Sequence, residues 1–235
     1  MAWTTEKFDG FPDGGIDFFR ALALKQDREW FRAHKDDFVR LWETPMQAFL
    51  SELQRGLNST FPFTKRAKPK VFRIYRDTRF SKDKTPFKTS ISGMVPLVPG
   101  GPMIAAGVYF ELGPQSFGAA GRWMMEPAVL KRFRRAVADD ATGAPFAKAV
   151  EKVTKRGFKV ISHQLLARVP PGFPKDSPRA ELRRQKGFAL EFTMPSAKVQ
   201  GSKDFAKWAV AQVKAIAPLI DWVEQVAKGR RPSLR

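Results

Sequence analysis

Arg73, Arg76, Arg79, Lys84 and Lys88 stand with Ser81, Asp77 and Asp83 in one run, RIYRDTRFSKDKTPFKT at residues 73–89. Guanidinium forks, ammonium groups, a hydroxyl and backbone N–H groups are the donors from which phosphate and carboxylate sites are built. Arginine supplies a planar bidentate fork and lysine a point charge. In that arrangement Asp77 and Asp83 orient the guanidinium groups rather than act as catalysts. Residues 65–88 carry ten basic side chains against those two carboxylates, a net of +8, more cation than local pairing neutralises. The competing reading is architectural, with Arg76 to Asp83 and Arg79 to Asp77, or similar pairs, forming a salt-bridge lattice that pins an irregular turn. The two readings are compatible.

Other chemistry has less to work with. Asp77 and Asp83, or either with Glu29, Glu111 or Glu126, have the oxygens a hard cation needs, but neighbouring arginines and lysines compete with a divalent ion, so no metal site is expected. The only histidines are His34, read as a solvated helix residue, and His163, read as a strand residue. Ser162 beside His163 points to the opposite face of such a strand and makes no dyad with it. No phosphate-binding loop, dinucleotide-binding glycine pattern or metalloprotease helix motif occurs, so no cofactor is indicated. Arg28 and Trp30, in DREWF at 27–31, read as a surface residue and a core aromatic, or as the wall of a pocket against the charged run. Lys175, Arg179, Arg183, Arg184 and Lys186 either extend a basic surface or solvate a short helix.

The composition bounds the partners. Forty-two Lys and Arg against 23 Asp and Glu give a formal charge of +19. Such a chain attracts polyanions at low salt, and nucleic acid and anionic ligands are the classes to weigh. The charge is spread over several segments without a recognisable nucleic-acid module. Absence of cysteine removes disulfides, thiolate metal sites and thiol nucleophiles together. The N-terminus shows no secretory pattern, and the uncharged stretch 89–110 is broken by Pro96, Pro99 and Pro102 and by Gly93, Gly100 and Gly101. A cytoplasmic location without integral membrane association is the expectation.

The elements that must position the run are legible as periodicities. Ile16, Phe19 and Leu22 recur at helical spacing to about residue 24. Asp27 is placed to N-cap a second helix, and Pro45 to open a third that runs to residue 57. From residue 71 the pattern becomes strand-like, to residue 77 or beyond. Alternation puts Phe72, Ile74, Arg76, Thr78 and Phe80 on one, apolar side, with Arg76 on or beside a buried face. Further strands are expected at 91–95, 104–112, 115–120, 158–169 and 189–194, with a tight turn at Gly113-Pro114. Helices are expected from Pro127 to about 138, from Pro145 to Gly157, and after a Ser177 N-cap at Pro178. Ser202 then caps a long helix whose core stripe runs from Phe205 to Val223, with a kink or break near Pro218. This is an α+β chain with a helical N-terminal region, a mainly antiparallel sheet, helices packed on the sheet and a Phe-rich core. One domain is expected over 1–228, with a frayed basic tail at 229–235.

Several of these segments resemble a family of conserved hypothetical proteins of bacteria and fungi, a domain of unknown function. Its pattern has an aromatic-x-Gly-Phe start, here FDGF at 8–11, then Arg-Glu-Trp-Phe at 28–31. It continues with RI-x-RDTRFS-x-DK-x-P-aromatic-K at 73–88, where Phe87 stands for the commoner Tyr. A Gly-x-Tyr at 107–109 and a P-x-G-aromatic then D-x-P segment at 171–178 are also similar. The family's Asn-Asn before Arg-Glu-Trp-Phe appears as Gln26-Asp27, which weakens any role for an amide there. The resemblance implies family-wide features over nearly the whole chain and carries no assigned activity. Three readings of the charged run follow: recognition of a phosphate-bearing or other anionic ligand, diffuse contact with nucleic acid, and a purely structural lattice.

Overall fold

The computed structural model describes residues 3–173, 176 and 178–234. The N-terminal region is helical: α1 (Gly15–Lys25), α2 (Arg28–Ala33), α3 (Lys35–Phe38) and α4 (Thr44–Leu57). Asp27 caps α2 as its spacing requires, its carboxylate accepting from the N–H groups of Glu29 and Trp30. A π-helical turn, Val39–Glu43, leads straight into α4 with Pro45 in the first turn. The Thr44 N–H reaches back to the Val39 carbonyl, so Pro45 stands where the wider turn passes into α-helix.

Among the described residues six strands form one sheet in the order β1-β2-β3-β4-β6-β5. They are β1 (Lys70–Phe72), β2 (Ile91–Pro96), β3 (Gly107–Leu112), β4 (Phe117–Arg122), β5 (Lys159–Ile161) and β6 (Phe188–Glu191). Between them lie α5 (Pro127–Ala138), α6 (Asp140–Thr154) and α7 (Ala180–Arg184). The chain ends with α8 (Ala197–Gln200) and α9 (Asp204–Ala227). The chain divides into two compact units: residues 1–95, 109–118 and 194–211, and residues 96–108, 119–193 and 212–235. Among the described residues no helix is long and apolar enough to cross a membrane.

The first unit is organised around Phe49 of α4, whose ring lies 5.3 Å from Phe8, 5.0 Å from Phe110 of β3 and 4.7 Å from Phe205 of α9. Gly10 makes this possible. Its φ is +122°, and a Cβ there would stand 2.3 Å from the backbone of Gly201. No other residue allows so close an approach, which explains the glycine between the two Phe rings of FDGF. The second unit has its own aromatic core, with Phe146 of α6 stacked 3.9 Å from Trp222 of α9, and Phe133 and Phe188 against them. Beside it Arg122 and Glu224 form a buried two-bond pair at 2.9 Å, and Arg122 also donates to the carbonyl of Ile104.

Several expected boundaries shift, each for a local reason. The strand expected over 71–77 stops at Phe72, where pairing with Ser92 of β2 ends, and the one over 158–169 shrinks to β5. β3 begins at Gly107 because residues 101–105 are tied in a turn, and a loop at 113–116 precedes β4. The helix expected to open at Pro145 starts at Asp140, because the Asp139 carboxylate caps it through the Thr142 N–H, and Pro145 lies inside it. Pro218 likewise lies inside an unbroken α9. The expected Ser177 cap lies outside the described residues. His34 is half-buried, stacked 4.0 Å from Trp30, and His163 falls beyond the end of β5. The tail turns back, with Pro232 buried and Ser233 exchanging two hydrogen bonds with Gln225.

The Arg122–Glu224 pair yields a stability prediction. Arg122→Ala or Glu224→Ala leaves one buried charge without its partner and should cost about 3–5 kcal/mol in urea unfolding. Arg122→Met with Glu224→Leu should recover most of that loss, because it removes both charges at similar volume.

Candidate functional site in the basic hairpin

After β1 the chain leaves the sheet and pairs with itself. The Arg76 N–H donates to the Pro86 carbonyl at 2.9 Å and the Lys88 N–H to that of Ile74 at 2.8 Å, bracketing an antiparallel bridge between Tyr75 and Phe87. Residues 73–88 are thus a long hairpin whose stem is fixed from below. Ile74 and Phe87 are buried, and Phe87 stacks 4.5 Å from Phe31 of α2. The Gln26 side chain holds the same point, its amide oxygen accepting from the Phe87 N–H at 3.0 Å and its NH₂ donating to the Phe87 carbonyl at 3.3 Å. An amide therefore has a role before Arg28 after all, and glutamine supplies it.

The tip is cross-tied by its own charges. Asp77 accepts from Arg79 Nε at 3.0 Å and Nη2 at 2.7 Å, a bidentate fork. Arg76 Nη1 donates to Asp83 and to the Thr85 hydroxyl, and Asp83 in turn accepts from the Thr85 N–H at 2.9 Å. Lys84 Nζ donates to the Thr78 carbonyl at 2.9 Å. Hydrogen bonds from Arg79 hold Asp77 down to about 2, and the Thr85 N–H with the Arg76 guanidinium holds Asp83 down to about 2. The pairs read from the sequence, Arg76 with Asp83 and Arg79 with Asp77, are the pairs that form.

Burial meets the expectation at Arg76 and departs from it at Phe80. The Arg76 side chain is 30% exposed, beside a buried face rather than in it. Phe80, expected on the apolar side, is 95% exposed at the tip, with the Arg79 guanidinium 5.9 Å from its ring centroid. Alternation holds through Ile74, Arg76 and Thr78 and then fails, because the chain turns where Ser81 N–H reaches back to the Thr78 carbonyl. Arg73, Lys82 and Lys84 are exposed, and Ser81 and Lys88 are half-buried. Six cations against two carboxylates leave residues 73–88 at +4. Of the expected wall, Arg28 is exposed and Trp30 lies on His34 and Phe18, while Phe31 makes the ring contacts with the hairpin.

The arginines of the late basic cluster serve backbone carbonyls. Arg179 donates to the Val137 and Ala138 carbonyls at the end of α5 and pairs with Asp140, and Arg183, itself buried, donates to the Pro178 carbonyl. Arg184 donates to Leu166, and Lys186 to the Gln164 side chain. Lys175 lies outside the described residues.

A second polar group adjoins the hairpin and was only partly legible. Ser90 Oγ donates to Glu111 at 2.7 Å, and the Tyr109 hydroxyl donates to the other Glu111 oxygen at 2.8 Å. Tyr109 lies between Phe72 and Phe117, with ring centroids 6.0 and 6.1 Å away. Burial, reinforced by the Glu111 carboxylate and opposed by a hydrogen bond from Ser92, pushes Tyr109 up to about 12. The alternation in GVYFEL, with Val108, Phe110 and Leu112 on one face and Tyr109 and Glu111 on the other, was the available signal.

A model of the conserved hypothetical protein family DUF2461 matches residues 15–222, and the chain belongs to that family. No curated protein and no solved structure matches the chain.

The charge ties give a pH prediction. Asp77 and Asp83 have folded values below the ordinary 3.8, so the order they lend the tip is whole above that value and is lost as pH falls through about 2. Carboxyl NMR titration should place both midpoints near 2, and Arg79→Ala should return Asp77 towards 3.8 while leaving Asp83 low. Tyr109 works in the opposite sense: raised from 10 to about 12, it withdraws stability as pH rises between those values. Tyr109→Phe should remove that part of the alkaline loss in thermal melts.

Proposed function

We propose that the hairpin of residues 73–88 recognises a phosphate-bearing ligand that also carries a flat or apolar body. The observation that carries this reading is Phe80, 95% exposed at the tip of a loop with a net charge of +4. Burying a phenylalanine is worth roughly 1.5–3 kcal/mol. A stem clamped at Phe87 and a tip tied by five charged side chains hold that ring in water beside the Arg79 guanidinium and away from the core. Such an arrangement is pre-organised for a partner that has both anionic oxygens and a surface to cover the ring.

Within the hairpin the roles divide. Arg76 and Arg79, held by Asp83 and Asp77, set the shape of the tip. Arg73, Lys82, Lys84 and Lys88, with the Ser81 hydroxyl, supply the charge and donors that meet the ligand. This differs from a site in which both arginines converge on one phosphate, because each already has its carboxylate.

Inorganic tripolyphosphate and ATP are suitable probes in calorimetric titrations at low salt. Both should bind, and Lys82→Gln with Lys84→Gln should weaken both by about tenfold or more. Phe80→Ala should weaken ATP alone. No binding of either probe, or binding unchanged by the lysine variant, would leave the charged run with a purely structural role.

A further inference from the structure

We infer that the outer face of the sheet beside the hairpin is a stacking platform for single-stranded nucleic acid, with bases laid on Phe72, Tyr109 and Phe117. The inference rests on the anion-binding reading of the hairpin and names the ligand class. In β3, Val108, Phe110 and Leu112 are almost wholly buried, whereas Tyr109 and Glu111 are partly exposed. Phe72 of β1 and Phe117 of β4 are partly exposed too, and their rings flank Tyr109. An antiparallel sheet with one packed face and one partly solvated face usually puts polar residues outside. Here three aromatic rings from three strands occupy it.

Charge and chemistry identify the occupant. Lys70 lies 5.2 Å over the Phe72 ring, and Arg73 follows directly, so the aromatic row runs into the +8 segment of residues 65–88. At the other end of the hairpin Lys88 is two residues from Ser90, whose hydroxyl donates to Glu111. A strand of nucleic acid matches all three components. Its phosphates meet the lysines and arginines, its bases stack on the rings, and base N–H groups have the Glu111 carboxylate as acceptor. Neutral glycans would leave the cations unused, and an anionic membrane would leave Glu111 facing headgroups of its own sign. Duplex nucleic acid hides the faces that stack.

The test is fluorescence anisotropy at low salt with a labelled oligothymidylate and an abasic phosphodiester of the same length. The oligothymidylate should bind the native protein at least about tenfold more tightly, since stacking contributes on the order of 1–3 kcal/mol per base. Phe72→Leu with Phe117→Leu should erase that preference while leaving the abasic chain's affinity unchanged, and Tyr109→Phe should keep it. Should the double variant fail to melt cooperatively, Phe117→Leu alone should reduce the preference. Equal affinity for the two chains would overturn the platform and leave the anion reading standing. Failure of both chains to bind would overturn both. Tighter, Phe117-dependent capture by phosphatidylserine vesicles would overturn the platform in favour of a lipid surface.

Discussion

The placement of Phe110 governs everything on the outer side of the first unit's sheet. Its ring meets Phe49 at 5.0 Å and Phe205 at 5.7 Å, deep in a cluster that also takes Phe8 and Phe11. Strand side chains alternate strictly, so burying Phe110 obliges Tyr109 and Glu111 to point the other way. A slip of one residue would exchange the two sets. The aromatic core therefore acts as the register lock for the polar group it never touches. The Gly10 approach to Gly201 serves the same end from the N-terminus, since it seats Phe8 and Phe11 where Phe49 needs them.

The hairpin obeys a different logic at each end. Its stem is secured by burial: Ile74 and Phe87 are in the core, and Gln26 meets both backbone groups of Phe87. Its tip has no core to pack against, and a loop of such length would ordinarily sample many conformations. Ion pairs and an Asp83–Thr85 turn narrow that ensemble. Exposed pairs add little to global stability. Their consequence is conformational, because they leave few shapes in which Phe80 has anywhere to go except outward.

These two features also explain what could be read in the sequence. The helical stripes, the Asp27 cap, the six strand locations and both hairpin ion pairs are consequences of local periodicity and charge spacing, and they are where the pattern puts them. Strand ends are not local properties. VFRIYRD has the composition of a long strand, but β2 offers a partner only to Phe72, after which residues 74–76 find theirs in 86–88. Phe80 shows the same limit, since alternation predicts a face only while the chain stays extended. Pro145 shows competition between two local signals, in which the Asp139 cap wins over the proline as a helix start. The row of Phe72, Tyr109 and Phe117 needed strand adjacency, which no single segment contains.

The net charge divides in a way that composition alone conceals. In the second unit, arginines donate mainly to main-chain oxygens: Arg132 to Val226 and Ala227 at the end of α9, Arg179 to Val137 and Ala138, Arg184 to Leu166. Helix C-termini leave carbonyls without partners, and a guanidinium satisfies two at once while opposing the helix dipole. Those side chains are basic for reasons of architecture. In the hairpin the exposed lysines are less committed. Lys82 stands in water, and Lys84 spends one of its three N–H donors on Thr78. The cations therefore differ in role: several arginines of the second unit are fixed by the fold, other exposed cations such as Lys7, Lys25, Lys131 and Lys148 are spread along the chain, and those of the hairpin are gathered where an aromatic ring is also held in solvent. What marks the hairpin is the conjunction of exposed cations with the exposed Phe80 ring.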